Sequence, residues 1–263
     1  MMESLARSLA DISECYIRDG YYLAHSVYDE KTLGGLEEDF DRIVAQLEHS
    51  GENVNARWRS EGMDALDGGS SVVIHTHNVQ RYSARWLNAL QDDRFISPAQ
   101  ALIGPDIVLH HTKLFQKPPR SGAPFPIHQD WWYFPTRYDS MMAAIIFLTD
   151  ADDSAGGLRV YPGSHKLGRL DNSSGLHSSE TLSGYPLKGA APINARRGDV
   201  LFFSYLTLHG SLPNRSAHPR KTVLVQLYSG SDYVLENRDV NHCDEQLVLS
   251  GWNHHMTRAL AAK

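Results

Sequence analysis

Apolar positions in the first hundred residues recur at spacings of three and four. Leu33, Leu36, Phe40, Ile43, Val44 and Leu47 follow one another in this way, and Glu37, Glu38 and Asp41 fill the opposite face. That spacing gathers the apolar side chains into one stripe of a helix. A second helix is expected over 84–95, with Trp86, Leu87 and Leu90 on one side. Ser97-Pro98 reads as the start of another, with serine as the cap and proline at the first helical position. From Asp106 the pattern changes to short β-rich runs, over 107–116, 125–134, 141–148, 158–161, 200–204, 205–209 and 222–229. Proline and glycine pairs punctuate them: Lys117-Pro118-Pro119, Gly156-Gly157 and Pro162-Gly163. Short strands without helices between them predict a mainly β protein. Its core would be a double-sheet β-fold such as a jelly roll, with the N-terminal helices packed on an outer face.

No shift in composition marks a linker, so a single domain is expected over 1–263. It would have a helical part at 1–105, a β-core at 106–232 and a tail at 233–263. The stretch from Lys166 to Ala191 has no clear period, and so long a loop reads as either a lid or a disordered segment.

Composition narrows the function by exclusion. The net charge of −6 leaves no basic footprint for nucleic acid. The longest apolar run, at 141–148, is far too short to span a membrane. Cys15 and Cys243 lie at opposite ends, so neither a metal-binding pair nor a disulfide framework is legible, and the cytoplasm is the expected compartment. The expected partner is a small-molecule substrate, with no nucleic acid and no membrane, for a monomer or homodimer.

The chain's 14 histidines direct attention to metal chemistry. His128 and Asp130 are two apart in a β-rich run, so on a strand they would project from one face. With His209 from a neighbouring strand they would form two histidines and one carboxylate, which cap one face of an octahedral iron(II) and leave three positions open. The His-x-Asp pattern alone carries no weight, because the composition predicts about one by chance. A second copy, His242-Cys243-Asp244, lies in a polar stretch with no strand after it to bring a third ligand. A basic residue heading an apolar strand, Arg220, could pair bidentately with a carboxylate held inside the barrel. The acid 2-oxoglutarate requires such a partner for its 5-carboxylate. Ser211 could add a hydrogen bond, and Arg215 and Lys221 compete with Arg220 for the task.

Four segments carry a family resemblance. They are His111-Thr-Lys-Leu-Phe-Gln-Lys-Pro-Pro-Arg-Ser-Gly122, Ile127-His-Gln-Asp-Trp-Trp-Tyr-Phe-Pro135, Gly156-Gly-Leu-Arg-Val-Tyr-Pro-Gly-Ser-His-Lys166, and His209-Gly-Ser with an arginine eleven residues after the histidine. In this order the sequence resembles the phytanoyl-CoA dioxygenase family of Fe(II)/2-oxoglutarate-dependent oxygenases, roughly over 107–229. The resemblance implies a double-stranded β-helix, Fe(II) held by His128, Asp130 and His209, 2-oxoglutarate as co-substrate, and O₂. It assigns the co-substrate to Arg220, with Ser211 and Gln129 nearby, and Lys113 is placed with these contacts. The reaction implied is hydroxylation of an unactivated C–H bond of a natural product, amino acid or acyl derivative, releasing succinate and CO₂. Related halogenating enzymes carry glycine or alanine in place of the carboxylate, so Asp130 favours hydroxylation.

Trp132 shares strand parity with His128 and Asp130, so it is expected to line the pocket, as are Phe134 and His77; Lys113 is a further pocket candidate. His110-His111 and His254-His255 are read as structural or surface residues. Two other classes use the same ligands. One is a cupin-like zinc or manganese isomerase or hydrolase, which has no need of Arg220. The other is a jelly-roll binding module without catalysis.

Overall fold

The structure is a computed structural model and describes residues 9–57, 64, 70–171, 180–235 and 244–256. His242 and Cys243 lie outside the described residues. Among the described residues no helix is long and apolar enough to cross a membrane.

Four α-helices stand among the described residues: α1 (Leu9–Asp19), α2 (Glu30–Ser50), α3 (Ala84–Leu90) and α4 (Asp93–Ile103). α2 buries Leu33, Leu36, Phe40, Ile43, Val44 and Leu47, the six residues of its apolar stripe. Asp29 caps its start by accepting from the Thr32 N–H at 2.8 Å. The expected helix start at Ser97 is not observed. Asp92 caps α4, accepting from the Arg94 N–H, and Pro98 sits inside the helix. A proline there removes one backbone donor, a cost outweighed by the burial of Phe95, Ile96 and Ala99.

Eleven strands follow in chain order: β1 (Tyr21–Ala24), β2 (Ile74–His77), β3 (Ile107–Lys117), β4 (Phe125–His128), β5 (Met142–Phe147), β6 (Leu158–Val160), β7 (Ala191–Pro192), β8 (Val200–Ser204), β9 (His209–Ser211), β10 (Arg220–Ser229) and β11 (Leu247–Ser250). One sheet runs β1-β8-β5-β10-β3-β11, with β2 also paired to β3, and the other runs β4-β9-β6-β7. Every strand pairing in both sheets is antiparallel. The two sheets form the jelly-roll core that the strand pattern predicts. The ends of the chain belong to it as well: β1 and β2 come from the part expected to be helical, and β11 from the expected tail.

Alternation divides each strand of the larger sheet between two cores. Met142, Ala144 and Ile146 of β5, Val200 and Phe202 of β8, and Val223, Val225 and Leu227 of β10 pack against α2 and α4. Ala143, Phe147, Leu201 and Phe203 face the other way and meet Leu158 and Val160 of the smaller sheet. The helices therefore cover the outer face and leave the inner one to line a cavity. In β3 this alternation changes phase. A bulge leaves His110 unpaired between His111, opposite Gln226, and Leu109, opposite Leu227. Beyond it His111, Lys113, Phe115 and Lys117 share one parity.

Candidate active site

β4 and β9 pair so that His128 lies opposite His209. The chain leaves the strand immediately after His128: Asp130 begins a turn closed by the Tyr133 N–H donating to the Asp130 carbonyl at 3.0 Å. The Asp130 N–H donates to the Tyr205 carbonyl at 2.9 Å, which ties that turn to the chain entering β9. His128, Asp130 and His209 are all buried, and each offers a ligand atom within 4.8 Å of the others'. Asp130 Oδ1 is 3.4 Å from His128 Nε2 and 3.7 Å from His209 Nε2.

Both imidazoles are oriented by backbone. His128 Nδ1 lies 2.8 Å from the Pro126 carbonyl and His209 Nδ1 2.9 Å from the Thr207 carbonyl. A carbonyl can only accept, so each Nδ1 carries the proton and each Nε2 presents a lone pair, the tautomer a metal requires. Gln226 on β10 donates through Nε2 to Asp130 Oδ2 at 3.0 Å. Burial opposes ionisation of the Asp130 carboxyl and the Gln226 hydrogen bond favours it. Two neutral imidazoles and a carboxylate with an anchored outer oxygen are a donor set suited to a divalent transition metal.

The cluster opens on a cavity of about 200 Å³ lined by both sheets. Arg220 lines the same cavity and is buried, and it donates to the Gly156 carbonyl at 2.6 Å. Its Nε is buried with no hydrogen-bond partner, and among the described residues no carboxylate pairs with it. Burial draws its pKa down to about 10, still far above neutrality. Neither competitor reaches the cavity. Arg215 is exposed, and Lys221 points to Glu37 and Asp41 of α2. Lys117 is paired with Arg220 in register and is fully buried; its Nζ donates to Ser211 Oγ at 2.7 Å and to the Leu212 carbonyl at 2.6 Å. Burial and the neighbouring guanidinium push the Lys117 pKa well below that of an ordinary lysine. Ser211 lines the cavity, and since its oxygen accepts from Lys117, its hydroxyl proton remains to be donated inward.

The other expected site residues divide. Lys113 and Phe134 line the cavity. Trp132 is not among the lining residues: 131–133 form a turn rather than a strand, so parity with Asp130 lapses and Tyr133 takes the place. Gln129 is buried away from the cavity. Its Nε2 donates to the carbonyls of Gly168 and Leu206, and its Oε1 accepts from the Leu170 N–H, which pins the start of the irregular 166–191 stretch. His77 is not among the lining residues; it is half-buried, with its ring 5.7 Å from that of His111. His111, read from sequence as structural or surface, lines the cavity. Sequence reasoning missed Gln226, Lys117 and Tyr133; counting alternate residues back along β3 from Lys117 would have found the row of four inward side chains.

The fold and the cluster together define a class, the jelly-roll oxygenases with a two-histidine, one-carboxylate centre. The sequence pattern of "Phytanoyl-CoA dioxygenase (PhyH)" matches residues 16–222. The chain is 30% identical over 258 residues to the ectoine dioxygenase of Halomonas elongata, covering 90% of this chain and 72% of that protein. It is 25% identical over 228 residues to a probable alpha-ketoglutarate-dependent hypophosphite dioxygenase of Stutzerimonas stutzeri, covering 82% and 77%. Among solved structures, the epimerase SnoN in complex with Fe3+, alpha ketoglutarate and nogalamycin RO shares the fold, with a TM-score of 0.70 at 20% identity over 94% of this chain and 97% of that one. The chain belongs to the phytanoyl-CoA dioxygenase family. It is an oxidoreductase that uses iron, 2-oxoglutarate and O₂. The isomerase, hydrolase and binding-module readings are set aside.

Proposed function

We propose that this dioxygenase hydroxylates a C–H bond of a small organic substrate, with iron held by His128, Asp130 and His209 and 2-oxoglutarate anchored by Arg220 and Ser211. The observation that carries the assignment is the buried Arg220, which has a partnerless Nε and shares one cavity with the triad. An unpaired buried cation is costly, and a dicarboxylate whose other end chelates the metal would relieve that cost. When bound, iron(II) with 2-oxoglutarate and O₂ supplies oxidative decarboxylation to succinate and CO₂ and the oxygen atom that enters the substrate.

The chain's own residues perform the rest. Pro126 and Thr207 carbonyls fix the imidazole tautomers, and Gln226 holds the outer carboxylate oxygen so that Oδ1 faces the histidines. The Gly156 carbonyl aims Arg220, and Lys117 turns the Ser211 hydroxyl toward the co-substrate. Phe115, Phe125, Phe147 and Phe203 wall the space between and exclude water. Because Asp130 occupies the position that halogenating relatives leave empty, hydroxylation is favoured over halogenation. Zinc or manganese isomerase chemistry would leave Arg220 without a task.

Anaerobic titration tests the assignment. Iron(II)-loaded protein should develop a visible charge-transfer band on addition of 2-oxoglutarate. Arg220→Ala should raise the 2-oxoglutarate Kd by about 30-fold or more, the scale of a charge-assisted pair, while iron affinity stays within about twofold. Equal losses in both would remove Arg220 from its role.

A further inference from the structure

Lys113 is the one lining residue whose charge the dioxygenase assignment leaves unused. It shares the inward parity of β3 with His111 and Phe115, opposite Leu224 of β10 and His77 of β2. The side chain is half-buried and lines the cavity, and among the described residues its ammonium makes no hydrogen bond and no ion pair. Its Nζ lies 5.1 Å from the centroid of the Phe115 ring. Lys117, by contrast, is satisfied by three oxygen acceptors. A lysine held in a mostly aromatic and aliphatic cavity without an acceptor retains a desolvation cost that an anion would relieve.

The co-substrate does not supply that anion. With 2-oxoglutarate in place, one carboxylate is at the metal and the other at Arg220. Lys113 lies four residues along β3 from Lys117, the register partner of Arg220, a separation of roughly 13 Å at 3.3 Å per residue. The charges of an iron(II) ion, Asp130, the dianionic keto acid and Arg220 cancel, which leaves the Lys113 cation uncompensated beside the open part of the cavity. Leu224 is its register partner, and Tyr133, Phe134 and Ile145 line the same cavity. Asp130 is the only carboxylate among the described lining residues, and the metal claims it, so no second carboxylate answers a substrate ammonium.

We propose that Lys113 is the specificity-determining residue of this dioxygenase, and that its substrate class is a small organic acid with an apolar body whose anionic head pairs with the Lys113 ammonium. This rests on the assignment of Arg220 to the keto acid. Neutral isosteres of the acid lack the charge, and zwitterionic amino acids bring an ammonium for which the wall holds no free carboxylate.

The test uses anaerobic iron(II)- and 2-oxoglutarate-loaded enzyme, titrated calorimetrically with benzoate, butyrate and cyclohexanecarboxylate and with the primary amide of each. In the wild type at least one acid should bind about tenfold or more tighter than its amide. Lys113→Met should abolish that preference while the visible 2-oxoglutarate band and its Kd stay within about twofold, and Lys113→Arg should restore much of the preference. If no acid outbinds its amide, or the preference survives in Lys113→Met, the proposal is overturned. It is also overturned if Lys113→Met weakens 2-oxoglutarate as Arg220→Ala does, since Lys113 would then serve the co-substrate. Absence of the visible band in the wild type would instead strike the assignment on which the proposal rests.

Discussion

Gln226 shows how a residue with no place in any sequence motif supports the centre. It belongs to an apolar strand, and only the register of β10 against β3 and β5 turns it inward, where it meets Asp130. Partners of metal ligands that hold orientation are worth about 10–100-fold in metal affinity, so Gln226→Leu should weaken iron(II) by that factor. Gln226→Glu, a stronger anchor only if it shares a proton with Asp130, should not restore it; an unchanged metal Kd in Gln226→Leu would show the contact to be idle. The second His-x-Asp copy has an ordinary explanation on its described side: Asp244 accepts from the Tyr228 hydroxyl at 3.1 Å. Burial pushes its carboxyl up to about 6. A raised carboxyl favours the protonated folded state, so Asp244 costs stability above its folded pKa, and that cost fades as pH falls from about 6 toward 4. Asp244→Asn should therefore stabilise the fold at pH 8, on the order of 2 kcal/mol, with no gain near pH 4, as read by denaturant melts. His128, Asp130 and His209 were legible because context chose among chance patterns. Trp132 was placed in the cavity by reading a strand through 131–133, where the chain turns.

At the scale of elements, α2 was readable because its stripe is long enough for period to outweigh noise, and the observed buried set is the expected one. Phe40 is fully buried in that stripe, and Phe40→Ala should cost about 3–5 kcal/mol in chemical unfolding while 2-oxoglutarate affinity of the folded fraction is kept. α4 departs from the expectation because Ser-Pro imitates a helix start and the helix expected over 84–95 runs through Asp92, which in the structure caps the next helix. The bulge at His110 left no sequence signal, and without it the inward row of β3 cannot be counted from Leu109. The turn before β6 is of another kind. Gly156 has φ +72°, and an added Cβ would sit 2.6 Å from the Leu212 carbonyl oxygen. Its own carbonyl accepts from both Arg220 and Lys117. Gly156→Ala should thus lower stability and also weaken 2-oxoglutarate binding several-fold, whereas a purely structural turn would leave the affinity of the folded protein unchanged.

For the molecule as a whole, the β-rich texture announced two sheets, and their closure gives the inner face to one cavity and the outer face to the helices. The edges were less legible. β1 and β11 are four residues each and come from opposite ends of the chain, too short for alternation to distinguish them from loops. What the closure achieves is chemical: residues from β4, the turn after it and β9 meet within one metal's reach, in a cavity that a buried arginine also lines. The most direct test of that convergence is the stoichiometry and affinity of iron(II) measured anaerobically for the wild type and for His128→Ala, Asp130→Ala and His209→Ala. The account predicts one ion per chain in the wild type and losses of at least about 100-fold in each variant, as expected when one of three ligands is removed. Three variants that keep wild-type affinity would contradict it.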